Sequence, residues 1–133
     1  MDEKKEEFKL YEGEMRFMGL IWEIQPVRST ELARQAFERL GWKKSTCYTV
    51  LKKLAEKGFV RNENAVVSAL VEQEQVRQYE SENLIERNFG GSLPAFLNAF
   101  LKDRKLTREE AEELHRMIEE AIPETGEQEG DRR

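Results

Sequence analysis

Between Glu14 and Gly58 the chain carries three short apolar stripes of helical period, each cut off by a residue that cannot continue a helix. Met15, Met18, Ile21 and Trp22, with Phe17 beside them, line one side of a first helix that Pro26 stops. Ser29 offers an N-cap to the second, Glu31 suits the positive end of its dipole, and Leu32, Ala33, Ala36, Phe37 and Leu40 form its stripe up to Gly41. Ser45 opens the third, whose apolar positions Cys47, Val50, Leu51 and Leu54 share a face until Lys57-Gly58 closes it. Phe59-Val60-Arg61-Asn62 and Val66 to Val71 are then β-branched and apolar runs separated by Glu63-Asn64-Ala65, which reads as a hairpin. Three brief helices followed by a hairpin is the order of a winged helix-turn-helix, so the expected fold is mainly α with a small β-hairpin.

Beyond the hairpin, Glu72 to Phe89 carries Val76, Tyr79, Leu84 and Ile85 in a looser helical pattern that Gly90-Gly91 interrupts. Ser92 is placed to start a helix presenting Leu93, Phe96, Leu97, Phe100 and Leu101 as one continuous stripe. Thr107 with Glu110 three residues later makes a capping box for a last helix bearing Ala111, Leu114, Met117, Ile118 and Ala121, ended by Pro123. The expected organisation is a disordered lead-in over 1–9, a winged helix-turn-helix domain over 10–72, a helical dimerisation region over 73–122 and a disordered tail over 123–133.

At 133 residues, with 38% hydrophobic and 37% charged side chains, the chain has room for one domain with an appended arm. A core from so few apolar residues requires strict patterning and further burial between subunits, which makes a homodimer the expectation. No run approaches the ~20 apolar residues that span a bilayer, and the charged N-terminus lacks a signal peptide's apolar core, so a cytoplasmic protein that does not contact a membrane is expected. One cysteine (Cys47) and one histidine (His115) cannot assemble a structural zinc site. Neither a nucleophile-base pair nor a glycine-rich phosphate loop is present, so no catalytic residue, metal or cofactor is assigned. Cys47 lies among apolar positions and reads as a small core residue; His115, among acidic neighbours, reads as a surface one.

The net charge of −5 hides a division along the chain. From Glu14 to Arg61 ten Lys and Arg face five Glu, whereas from Asn62 onward nine cations face seventeen Asp and Glu. The basic part suits a polyanion and the acidic part another task. On the third helix, Ser45, Tyr48, Thr49 and Lys52 lie opposite the apolar stripe, flanked by Lys43, Lys44, Thr46 and Lys53, with nothing acidic before Glu56. Lysines that can reach phosphates and hydroxyls that can reach base edges, on a helix about 11 Å thick, match a DNA major groove ~12 Å wide. The third helix is therefore the expected recognition helix.

Glu14-Met15, Trp22, Trp42-Lys43-Lys44-Ser45-Thr46, Tyr48-Thr49-Val50-Leu51-Lys52-Lys53-Leu54 and Lys57-Gly58 together resemble the penicillinase-repressor family (BlaI/MecI/CopY type) of winged-helix transcriptional repressors. Phe89-Gly90-Gly91-Ser92 and Leu106-Thr107 before an acidic helix resemble that family's dimerisation half, and the likeness runs from about Leu10 to Ile122. It implies a homodimer that binds a two-fold symmetric operator in double-stranded DNA and blocks transcription. Thr46 and Thr49 would be its recognition-helix hydroxyls, and Lys43, Lys44 and Lys53 its phosphate anchors.

Three departures accompany the likeness. Family wings carry basic and aromatic residues, whereas Asn62 to Leu70 has neither, which leaves Arg61 as the one wing cation. Family members induced by β-lactams are cut at an Asn-Phe bond, and here Ala99-Phe100 occupies that register. Copper-responsive relatives use a C-terminal cysteine cluster, and no cysteine follows Cys47. The inducing signal, and any upstream sensor or protease, is thus left open. The apolar set Leu84, Phe89, Leu93, Phe96, Leu97, Phe100, Leu101, Leu114 and Ile118 is assigned to dimerisation, because three helices of this length cannot hide it from one another. The competing reading is a winged helix that docks a protein partner and does not bind DNA.

Overall fold

The computed structural model describes residues 8–124; residues 1–7 and 125–133, most of the expected lead-in and tail, lie outside the described residues. Helix α1 (Glu12–Ile24) starts earlier than its apolar stripe because Glu14 Oε1 accepts the Tyr11 backbone N–H at 2.9 Å and satisfies one orphan donor of the first turn. A two-residue strand β1 (Val27–Arg28) follows, then α2 (Ser29–Leu40), α3 (Lys44–Glu56), β2 (Val60–Glu63), β3 (Val66–Ala69), α4 (Gln73–Phe89), α5 (Leu93–Phe100) and α6 (Arg108–Ala121). The structure is mainly α, a winged helix-turn-helix followed by further helices. It divides into two compact units that meet in sequence at Gly91 and Ser92.

In the first unit, Phe17, Met18 and Ile21 of α1 meet Leu32 and Ala36 of α2, Cys47, Leu51 and Leu54 of α3, and Phe59, Val60 and Val67 of the hairpin. Burying a side chain of this size contributes roughly 1.5–3 kcal/mol, so this cluster holds the three helices in place. Trp42, in the α2–α3 connection, stacks on Phe17 with ring centroids 5.1 Å apart. Trp22 donates its indole N–H to the Val71 carbonyl at 3.0 Å, tying α1 to the strand exit. Val76 of α4 is buried in the same core, so α4, assigned in sequence to the dimerisation region, packs within the first unit. Phe8, from the expected lead-in, is half-buried with its ring centroid 6.3 Å from that of Tyr79.

The sheet has three antiparallel strands in the order β1-β3-β2, where two were expected. Val27 pairs with Val67 and Arg28 with Val66, while β2 pairs Val60 with Ala69, Arg61 with Ser68 and Glu63 with Val66. Directly paired residues share a face, so Val27, Val60 and Val67 point into the core. Arg28, Arg61, Glu63, Val66 and Ser68 take the outer face. The β2–β3 turn is the residue pair Asn64-Ala65, both at positive φ (54° and 64°), the conformation whose twist matches a two-residue hairpin.

Two expectations about α2 are corrected. Its N-cap is Arg28, which makes no side-chain cap; Ser29 is the first helical residue and its N–H donates to the Ala65 carbonyl at 2.8 Å. The wing turn thus satisfies one of the first-turn N–H groups that the helix itself leaves open. Phe37 lies outside the core, 64% exposed, because α2 buries only the Leu32–Ala33–Ala36 edge of its stripe. Gly41 ends α2 in the left-handed conformation at φ 74°, which glycine adopts without a Cβ clash.

In the second unit the expected caps are present: Ser92 Oγ accepts the Ala95 N–H at 3.0 Å, and Thr107 Oγ1 accepts the Glu110 N–H at 3.0 Å. Neither α5 nor α6 contains a buried residue among those described.

Candidate nucleic-acid interface

Helix α3 is positioned by its buried edge: Cys47, Leu51 and Leu54 lock it against α1, α2 and β2, and this fixes which side chains face outward. Lys43, Lys44, Ser45, Thr46, Thr49, Lys52 and Lys53 are all exposed. Thr46, Thr49 and Lys53 follow one another at three- and four-residue steps, as do Ser45, Thr49 and Lys52, so both rows run along one face. The 13 residues span ~20 Å, about two turns separating Thr46 from Lys53. Tyr48 differs from the other predicted contacts in that its ring packs half-buried against the core, leaving only part of it outward.

The charges of this face are uncompensated. On α2, Arg34 is held by Glu31 and Glu38 at 2.5 and 2.8 Å, and Arg39 by Glu23 at 2.9 Å. The Arg34 hydrogen bond pulls the Glu31 carboxyl down to about 2, and Glu31 in turn pushes the Arg34 guanidinium up. By contrast, Lys43, Lys44, Lys52, Lys53, Arg28 and Arg61 take part in no ion pair among the described residues. The start of α3 also runs against local helix chemistry. Lys43 stands at the N-cap and Lys44 at the first helical position, without a side-chain cap and without an acidic residue in the first turn. Cations at the positive end of a helix dipole cost ~0.3–1 kcal/mol each, and an anion placed there would reverse that sign. Local conflicts of this kind gather at functional sites.

Arg61, the one cation expected from the wing, is exposed on the outer sheet face opposite Ser68. Arg28 shares that face, paired with Val66, and is a residue the sequence reading missed. Its signal lay in the strand β1, which at two residues is too short to show a period. Cys47 is buried without a partner group, and burial pushes its thiol up to about 11. No group of His, Cys, Asp and Glu among the described residues could hold a metal ion, and His115 is exposed on α6. No described helix is long and apolar enough to cross a membrane.

The predicted dimerisation residues divide between the units. Leu84 and Phe89 lie on α4, the first exposed and the second half-buried. In the second unit Leu93, Phe100, Leu114 and Ile118 are exposed, Phe100 by 47% and Ile118 by 50%, while Phe96, Leu97 and Leu101 are half-buried. Phe96 and Phe100 stack at 5.9 Å, and the Arg104 guanidinium lies 4.4 Å from the Phe100 ring centre. Leu93, Phe100, Leu114 and Ile118 are thus large apolar side chains left exposed within one chain.

A winged helix whose third helix presents unpaired lysines and hydroxyls defines a class, the winged-helix transcription regulator. The family model described as "Penicillinase repressor" matches residues 11–120, and the chain belongs to this family of transcriptional repressors. It is 24% identical over 122 residues to the methicillin resistance regulatory protein MecI of Staphylococcus aureus, covering 89% of this chain and 98% of that protein. The penicillinase repressor of Bacillus licheniformis is 22% identical over 116 residues, 84% of this chain and 91% of its own. MecI of Mammaliicoccus sciuri is 24% identical over 122 residues, again 89% and 98%.

Proposed function

We propose that this protein is a homodimeric repressor that seats α3 of each protomer in the major groove of a two-fold symmetric DNA operator. The observation that carries this reading is the uncompensated charge of α3: four exposed lysines in no ion pair, two of them at the helix's positive end. Lys43, Lys44, Lys52 and Lys53 neutralise phosphates, while Ser45, Thr46 and Thr49 approach base edges, with the outward part of Tyr48 beside them. Arg61 and Arg28 add phosphate contacts from the sheet. Two copies are joined through Leu93, Phe96, Leu97, Phe100, Leu101, Leu114 and Ile118 of the second unit and through Leu84 and Phe89 of α4, and Leu84, Leu93, Phe100, Leu114 and Ile118 are exposed within one chain. Isologous pairing of that kind sets the two reading helices about 34–36 Å apart, or a multiple of it.

Selection from a random duplex pool tests the reading. The repressor enriches a two-fold symmetric sequence and binds it more tightly than a scrambled duplex at moderate salt. Replacing Lys44, Thr49 and Lys53 together with alanine removes that preference while the dimer persists. Enrichment of no symmetric sequence would refute the proposal. The exposed Val66 and Leu70 of the wing favour a second reading, a protein-docking winged helix. Under it, the triple substitution leaves partner binding unchanged.

A further inference from the structure

Glu14 is the one charged residue buried among those described, 8% exposed. Its Oε1 accepts the Tyr11 backbone N–H at 2.9 Å and the Lys57 Nζ at 2.8 Å. Lys57 is the C-cap of α3, and its ammonium also lies 5.3 Å from the Tyr11 ring centre and 5.6 Å from that of Phe59. One carboxylate and two ring faces thus hold this lysine, in contrast to the free lysines of the same helix. The groove around it, about 460 Å³, is lined by Lys9, Tyr11, Glu14, Lys53, Glu56 and Lys57. Two parts of the sequence that the DNA-contacting face does not use, Glu14-Met15 and Lys57-Gly58, therefore meet across 43 residues.

We propose that Lys57 is a positioning residue of the recognition helix: its pair with Glu14 pins the C-terminal end of α3 to the first turn of α1 and fixes the helix's angle on DNA, without touching DNA itself. The inference rests on the repressor reading given above. Its physical basis is leverage. A tilt of about 10° at the C-terminal end moves the N-terminal end of a ~20 Å helix by roughly 3 Å, a full hydrogen-bond length. The charge of Lys57 is already matched, and withdrawing it for a phosphate would strand a buried carboxylate.

Salt dependence separates positioning from contact, because every lost phosphate contact lowers the slope of log K against log salt by about 0.9. Lys57→Met is compared with the wild type on the selected symmetric duplex and on a scrambled one, using dimers shown to be folded by circular dichroism and sedimentation. The expected result is at least a tenfold fall in the operator-to-scrambled ratio, with both salt slopes and the scrambled affinity unchanged. Lys57→Arg restores the ratio. Should Lys57→Met fold poorly, Glu14→Gln, which keeps the acceptor for the Tyr11 N–H, gives the same fall at an unchanged slope. A slope reduced by about 0.9 per protomer in Lys57→Met would make Lys57 a phosphate contact and overturn the proposal, as would an unaltered ratio. A wild-type protein without operator preference would refute the repressor reading itself, and the positioning role with it.

Discussion

Ala65 occupies the second position of the wing turn at φ 64°, where an L-residue with a Cβ is held against its preference. The left-handed conformation costs such a residue roughly 1–2 kcal/mol, and glycine is relieved of this. Glycine gives back roughly 0.5–1 kcal/mol through the greater freedom of its unfolded chain. Ala65→Gly is therefore expected to stabilise the protein by about 0.5–1 kcal/mol net, a melting-temperature rise of roughly 2–6 °C for a unit of this size. The Ser29 N–H bond to the residue-65 carbonyl is a backbone contact and survives the change. Ala65→Val, branched at Cβ, should instead cost ~1 kcal/mol or more. Thermal and urea unfolding of the three proteins measures both shifts. A glycine variant no more stable than the wild type, or a valine variant equal to it, would refute the assignment of a strained two-residue turn.

Three further outcomes follow from the same geometry. Phe100→Asp and Ile118→Asp alter side chains exposed in the single chain, so each should leave α5 and α6 folded while sedimentation falls from twice the chain mass to one; an unchanged mass would move the dimer interface elsewhere. Cys47 should stay unreactive toward a thiol reagent at pH 8 until the protein is unfolded. Its raised folded-state value means that its contribution to stability is complete below pH 9 and is lost as pH climbs toward about 11, a decline that Cys47→Ala removes. Arg28→Ala and Arg61→Ala should each lower the operator salt slope by about 0.9 per protomer, and unchanged slopes would show that the outer sheet face stands clear of DNA.

The three-helix head was legible because Pro26, Gly41 and Lys57-Gly58 cut the helical period where the chain turns, and the Ser92 and Thr107 caps were legible because capping is local. Strand β1 was not, since two residues carry no alternation and their partners, Val66 and Val67, lie 38 and 40 positions on. Phe37 shows the limit of periodicity: Ala36 and Phe37 both fit a broad apolar stripe, and only the placement of α1 and α3 decides that Ala36 is covered. The exposed lysines and hydroxyls of α3 could be chosen from spacing alone, because the opposite face was so clearly apolar. Which cations are already neutralised could not. Arg39–Glu23 and Lys57–Glu14 join different elements, and they remove two cations from the basic stretch while Lys43, Lys44, Lys52 and Lys53 stay in no ion pair among the described residues.

Hydroxyl-radical footprinting of the purified protein on its selected duplex addresses the two-headed grip most directly. Two protected windows are expected, centred one helical turn or a whole multiple of it apart and symmetric about the dyad, and the Lys44, Thr49 and Lys53 triple-alanine variant should erase both. A single window, or protection without symmetry, would contradict paired recognition helices.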